Sequence, residues 1–325
     1  MADYKAIKGH TIQTVSGDPG TIVDGLIWYD SVARKVQGSK TAAGSWATGE
    51  ALPAVMVKNA GAGIQTAAIV FGGLDADGVA DESYTYDGTD WTDIGAMTNN
   101  RQMLGGCGTS TAALGAGGYP VPARGADTEE WNGSAWSETA NLGTSRYGCH
   151  SAGTQTAALC ITGHTYPGSE TVNVEQYDGS SWTEIANVNT SRRQHAAAGT
   201  STAAIAVGGN NGGSVSALTE SWNNTAWTEV GDINTARDAK GGDGTSALGL
   251  VWGGTSPARD ETEQWDETSW TEIADLNSGR WGTAGGGTTS AAVTAGGFIL
   301  PGNTASQATE EFTGPAAAAV TFTSS

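Results

Sequence analysis

Cations, cysteines and long apolar runs are all scarce in this chain of 325 residues, and each shortage narrows what it can be. Lysine and arginine together number 15 against 34 aspartates and glutamates, a formal charge of -19 at pH 7. Phosphate backbones demand clustered cations, so no nucleic-acid partner is expected, and an anionic membrane surface is disfavoured on the same ground. The plain meaning of such a charge is solubility for a protein rich in strand edges. The three cysteines, Cys107, Cys149 and Cys160, are odd in number and lack CxxC spacing. They imply no disulfide framework; Cys149 and Cys160 fall where one hairpin would oppose them, and small buried thiols are expected.

Nothing approaches the length of a membrane span, so no membrane insertion is expected. The opening MADYKAIKGH has no apolar core, so synthesis without a secretory signal is expected. His10, His150, His164 and His195 are too dispersed to mark a zinc site, and no cofactor is expected. No window carries an apolar stripe of helical period. Turn signals recur instead every 8 to 12 residues, which reads as many short strands.

Glycine, by contrast, is abundant at 49 residues, and much of it belongs to a module that recurs six times. Each copy has a small-residue strand ending in glycine, the second of the pair being Gly73, Gly118, Gly163, Gly209, Gly254 or Gly297. An aromatic follows at Tyr86, Trp131, Tyr177, Trp222, Trp265 or Phe312. Five residues later, in five copies, stands Trp91, Trp136, Trp182, Trp227 or Trp270, and ten residues beyond it an arginine. From arginine to the next second glycine is always 17 residues, while the glycine-to-aromatic stretch runs 13, 13, 14, 13, 11 and 15. A constant frame with one variable loop per repeat suits a scaffold that presents a recognition surface.

One repeat reads as four strands. After Arg146, YGCHSAG forms the first and TAALCIT the second, alanine-rich as a crowded centre requires; VNVEQY and SWTEIA follow across a short DG turn. Four strands per repeat of 43 to 46 residues, six times over, predict an all-β, six-bladed β-propeller with a short N-terminal extension. The double glycine, the third-strand aromatic, the fourth-strand tryptophan and the following arginine resemble the kelch repeat, over residues 44 to 313. Thr162-Gly163 replaces the glycine pair once, and Ala317 stands where the last copy should have tryptophan. Trp46 lies 45 residues before Trp91, so SWATGE occupies a fourth-strand position with no first three strands before it. The favoured closure sets this strand beside the last three; the alternative is that AAVTFT closes the ring itself. The expected organisation is therefore an arm over 1–24, a β-hairpin over 25–43, the propeller over 44–313 and a tail over 314–325.

Glutamate sits two residues before the aromatic in five copies, at Glu129, Glu175, Glu220, Glu263 and Glu310. The first copy has Tyr84 there, and it is also the copy with Met56 in the arginine position. The arginine opens strand one and the glutamate lies near the start of strand three, about 9.6 Å apart at normal strand spacing. This argues for bridges within blades: Arg101 with Glu129, Arg146 with Glu175, Arg192 with Glu220, Arg237 with Glu263 and Arg280 with Glu310. A ring of ligand-binding arginines is the alternative.

The variable loops share the arginine face. Tyr119, His164, Tyr166 and Phe298 are aromatics in these loops, where no core needs them, with Asp, Asn and Ser around them. Aromatic faces beside planar polar groups suit sugar rings. Asp75, Asp77 and Asp81 form a partial calcium-loop pattern whose full spacing is not met. YDGTDW and YDGSSW resemble the Asp-box of sialidase-like propellers, but the turn is one residue short. A kelch-type copper oxidase would need a Tyr/His/Cys set that cannot be assembled, and no enzymatic activity is expected.

The leader with GHTIQTVSGDPG, the WYDS hairpin and the tandem SWTE…NTSR units together resemble virion proteins of tailed bacteriophages, tail- or capsid-associated. That resemblance implies an arm that anchors to other virion proteins, an outward propeller for host attachment, and a virion protein made in the host cytoplasm. The expected function is non-enzymatic binding of host cell-surface glycan through the loops between strands two and three. A structural virion component, a capsid decoration or tail connector working by protein–protein interaction, is the alternative, and a propeller hydrolase the third. Oligomeric state is not encoded in any feature of the chain.

Overall fold

The computed structural model describes residues 13–16, 26–42, 44–120, 125–238, 241–255, 259–299 and 301–321. It divides into two compact units: Ser45–Thr313, and Met1–Gly44 together with Gly314–Ser325. Among the described residues there are strands, turns and bends but no helix.

The larger unit is a six-bladed β-propeller. Its first blade runs through Ala60–Ile64, Ala67–Leu74, Val79–Tyr86 and Trp91–Ala96 in antiparallel order. The second to fifth blades repeat that order, from Gly105–Thr109 through Trp136–Glu138, His150–Thr154 through Trp182–Glu184, Ala196–Gly199 through Trp227–Glu229, and Gly241–Gly244 through Trp270–Glu272. Three strands of the sixth, Ala284–Thr288, Ala291–Ala295 and Thr309–Thr313, are completed by Ser45–Gly49, which places Trp46 opposite Phe312. The six innermost strands neighbour one another in a closed circle.

Small residues make that circle possible. A Cβ on Gly61 would stand 2.7 Å from the carbonyl oxygen of Gly285 in the adjoining blade, so the inner strands meet almost backbone to backbone. At the end of strand two the chain must also pass through the left-handed region, as at Gly72 with φ +61°. Where Thr162 replaces glycine, it holds φ +51°, is fully buried, and shares a 3.2 Å hydrogen bond with His195 Nδ1.

The blades pack through their aromatics. The third-strand aromatic lies directly across from the fourth-strand tryptophan in every blade, with ring centroids 4.8 Å apart for Tyr86–Trp91 and 5.5 Å for Trp222–Trp227. Trp46 and Phe312 make the sixth such pair at 5.2 Å. Each buried ring removes a large apolar area from water, about 1.5–3 kcal/mol for a Phe-sized side chain, so these six pairs dominate the packing.

Two expectations need correction. The first strand does not start at the arginine: in the third blade it is His150–Thr154, while Arg146–Tyr147 pairs separately with His164–Thr165 of the variable loop. The reason is a left-handed residue two positions after the arginine or, in the first blade, after Met56: Lys58, Met103, Gly148, Gln194 or Gly282, with φ between +52° and +67°. It bends the backbone out of the blade. From there the chain links neighbouring blades, since Met103 N–H donates to Lys58 O, Gly148 to Met103 and Gln194 to Gly148, at 2.7–2.8 Å.

Nor are hairpin and tail separate. In the smaller unit Ala316–Thr321 pairs with Lys35–Ala42, making one sheet in the order Gln13–Val15, Ile27–Asp30, Lys35–Ala42, Ala316–Thr321. The alanine-rich C-terminal strand is therefore taken up here and not in the sixth blade. Part of the arm is structured too, Gln13–Val15 running parallel to Ile27–Asp30. The remaining arm, 1–12 and 17–24, lies outside the described residues.

Candidate functional site

All five arginines of the frame are at most 1% exposed, and their glutamates at most 3%. Arg101 meets Glu129 at 3.0 Å and Arg192 meets Glu220 at 2.5 Å; Arg146, Arg237 and Arg280 pair with Glu175, Glu263 and Glu310. Arg101 also donates to the carbonyls of Gly117 and Asp127, both at 2.7 Å, and the other four arginines repeat that pattern. Burial pushes the Arg101 guanidinium below its ordinary value, against the pull of Glu129 and Asp127. It stays charged nonetheless. The glutamate also reaches outward from its own blade. Glu129 accepts the N–H of Thr98 at 2.6 Å and of Asn99 at 3.3 Å, from the segment leaving the previous blade. These groups hold blades together and present no guanidinium to a ligand.

Immediately above them lies the rim. The residue after each arginine bridges to the residue after the glycine pair, giving Gln102 with Tyr119, Tyr147 with His164, Arg193 with Asn210, Asp238 with Thr255 and Trp281 with Phe298. In the first blade Val57 pairs with Leu74. The variable loops are thereby pinned at their base, with Val57 and Gln102 buried beneath the rim.

On one sector of this rim three rings touch in series. Tyr119 meets Tyr147 edge-on at 5.8 Å, and Tyr147 meets His164 at 5.0 Å. Tyr119 is 43% exposed, and Tyr166, on the same loop as His164, is 58% exposed. His164 Nδ1 lies 3.2 Å from Glu170 Oε1, and Arg193 Nη1 approaches the same oxygen at 3.4 Å. Burial alone would raise the Glu170 pKa, but backbone and His164 hydrogen bonds and the Arg193 charge bring it below the ordinary carboxylate value. The sector thus combines exposed aromatic faces with a fixed set of donors and acceptors, drawn from three consecutive blades.

Phe298 is not part of it. It stacks on Trp281 at 4.5 Å and 24°, and Lys58 Nζ sits 5.8 Å from the Trp281 ring centroid. Of the four candidate loop aromatics, Tyr119 and His164 are linked through Tyr147, Tyr166 follows on the His164 loop, and Phe298 pairs with Trp281 instead. Tyr147 and Arg193, which complete the first group, were not singled out by sequence. Their signal was position: each directly follows an arginine of the frame.

Two further sites are less suited to a ligand. Asp75 Oδ1 is occupied by the N–H groups of Asp77 and Gly78, both at 2.8 Å, so the calcium-loop pattern is a turn. Among the described residues no three His, Cys, Asp or Glu side chains are grouped to hold a metal. The axial cavity, of about 180 Å³, is lined by glycines and alanines with Asn59, His150, Ser151 and Asp243 among them. It falls short of the ~300 Å³ where ligand pockets begin. Burial pushes the Asp243 carboxyl up to about 7, against hydrogen bonds from Gly244 and Gly287. Cys149 and Cys160 are buried thiols in no disulfide, and the hydrogen bond with Cys149 together with burial raises Cys160 well above its ordinary value.

No family model matches this chain, and no curated protein does. Among solved structures, YjhT, a kelch-repeat protein of E. coli, superposes with a TM-score of 0.66 at 12% identity. The match covers 80% of this chain and 95% of YjhT. At that identity the likeness is one of fold alone, and the fold of this chain is a six-bladed kelch-like β-propeller with a short N-terminal extension.

Proposed function

We propose that this is a non-enzymatic virion surface protein of a tailed bacteriophage that binds host-surface glycan through the loops between strands two and three. The observation that carries the reading is the Tyr119–Tyr147–His164 series, open to solvent at Tyr119 and extended by the exposed Tyr166. Sugar rings offer apolar C–H faces to aromatics and hydroxyl edges to planar polar groups, and Glu170 and Arg193 supply the latter. Buried arginine–glutamate pairs argue against a catalytic arginine cluster. The phage assignment rests on the resemblance of the leader, the WYDS hairpin and the SWTE…NTSR units.

A second reading, a structural virion component, is favoured by the smaller unit. Its sheet ends in Gln13–Val15 on one side and Ala316–Thr321 on the other, with no further strand on either among the described residues. Open ladder edges are sites for strand addition by another chain.

The deciding experiment is a glycan-array and whole-cell binding assay on the purified protein, with a variant carrying swapped 119–127 and 164–173 loops. Saturable binding lost in the swap supports the adhesin. Absence of binding to every cell and glycan supports the structural component.

A further inference from the structure

The ionic make-up of the rim sector points to the class of sugar it would take, an inference that rests on the glycan-binding reading above. A carboxylate-bearing sugar needs a cation to spare. Among the described residues the cation of this sector is Arg193, and its Nη1 is engaged by a carboxylate. Its Nη1 faces Glu170 Oε1 at 3.4 Å, and its charge also acts on Asp238, the carboxylate that follows Arg237 on the rim. Arg193 therefore pairs with one acid and acts by charge on a second, with His164 already hydrogen-bonded to the first of them. Among the described residues, Arg193 against Glu170 and Asp238 gives a formal balance of -1 with His164 neutral, on a chain of net charge -19.

Glu170 itself is built into place. His164 and Arg193 both approach Oε1, and Oε2 lies where a side chain on Gly212 would have to go: a Cβ there would stand 2.4 Å away. Gly212, in the fourth blade, has φ +91° and leaves room for the carboxylate of the third. A carboxylate held beside exposed rings accepts hydroxyl hydrogen bonds from a sugar and repels a second anion.

We infer that the Tyr119–Tyr147–His164–Tyr166 sector binds uncharged pyranosides, with Glu170 accepting from ligand hydroxyls and excluding sugars that carry a carboxylate. Glu170 is the specificity-determining residue, and Arg193 positions it.

The test uses the full chain and two immobilised probes: a neutral oligosaccharide that the glycan array retains, and the same oligosaccharide oxidised to a terminal uronic acid. Wild type should bind the neutral probe at least about tenfold more tightly, as a like-charge contact in an interface commonly costs more than 1.4 kcal/mol. Glu170→Gln should narrow that ratio by strengthening retention on the acidic probe, with unchanged thermal melting. Should that variant misfold, salt serves instead, since raising ionic strength should improve wild-type binding to the acidic probe and leave the neutral one unchanged. Equal or preferential binding of the acidic probe by wild type would overturn the inference and leave the adhesin reading standing. If no array glycan is retained at all, the adhesin reading itself fails, and the inference with it.

Discussion

Met56 and Tyr84 lie in one apolar cluster of the first blade, at 1% and 4% exposure, in the places where the other five blades put arginine and glutamate. Met56 still accepts the N–H of Gly297 through its carbonyl, as Arg101 does from Gly73, so the backbone link between blades survives. The molecule thus contains both solutions to one packing problem. A buried ion pair can be replaced by apolar residues with little loss, whereas removing one partner strands a charge.

Arg192→Ala should therefore destabilise by about 3 kcal/mol, because Glu220 is left buried opposite a void. The double variant Arg192→Met with Glu220→Tyr, copying the first blade, should cost markedly less than the single one. Reversible urea denaturation of wild type and both variants measures this. A loss below ~0.5 kcal/mol for Arg192→Ala would rule out the bridge as a stabilising link.

Four of the six fourth-strand tryptophans tie their blade to its predecessor through the indole N–H. Trp46, Trp91, Trp136 and Trp182 donate Nε1–H to Thr262, Thr309, Ser83 and Thr128 at 2.9–3.1 Å. Trp227 has no such acceptor, and the residue at the matching place is Val174. Thr219, beneath Trp270, is present but does not make the bond. Val174→Thr should raise stability by about 1 kcal/mol, since one buried donor gains a partner at nearly constant volume. A fall in melting temperature would mean the new hydroxyl finds no partner.

Asp243 supplies a pH signature. Its pKa is near 7 when folded, against 3.8 as the ordinary value, so between those limits the folded chain holds a proton that the unfolded chain has lost. Its contribution to stability is least unfavourable below pH ~4, worsens as pH rises and is fully adverse above pH ~7, by on the order of 2–4 kcal/mol. Asp243→Asn should remove this slope. Denaturation midpoints at pH 4.5 and 7.5 for the two proteins give the difference directly, and parallel pH profiles would refute it.

Tyr119→Ala combined with Tyr166→Ala should leave stability within about 0.5 kcal/mol, as expected of changes at exposed positions. Adsorption to the host cell should fall. Equal adsorption by wild type and the double variant would remove these loops from the binding account.

The frame was legible because its determinants are local and recur. Glycines at strand ends, an aromatic opposite a tryptophan five residues on, and arginines a constant 17 residues before the next second glycine each constrain the backbone or the blade core. They must therefore repeat wherever a blade repeats. The arginine–glutamate pairing was visible for the same reason, through its joint replacement by Met56 and Tyr84. The rim was less legible. Tyr147 and Arg193 lie in stretches that read as strand one, and only the left-handed turn at Gly148 or Gln194 lifts such residues to the surface.

By itself, then, the sequence determined blade number, strand order and the buried bridges, since each depends on contacts within one repeat or between neighbours. Tertiary structure alone decided which loop residues meet. Ring geometry sets Tyr119 against Tyr147 across a blade boundary, brings Glu170 to Arg193 across the next, and leaves Phe298 with Trp281 elsewhere. It also gave the C-terminal strand to the sheet of Lys35–Ala42, a pairing between distant segments that no local pattern encodes.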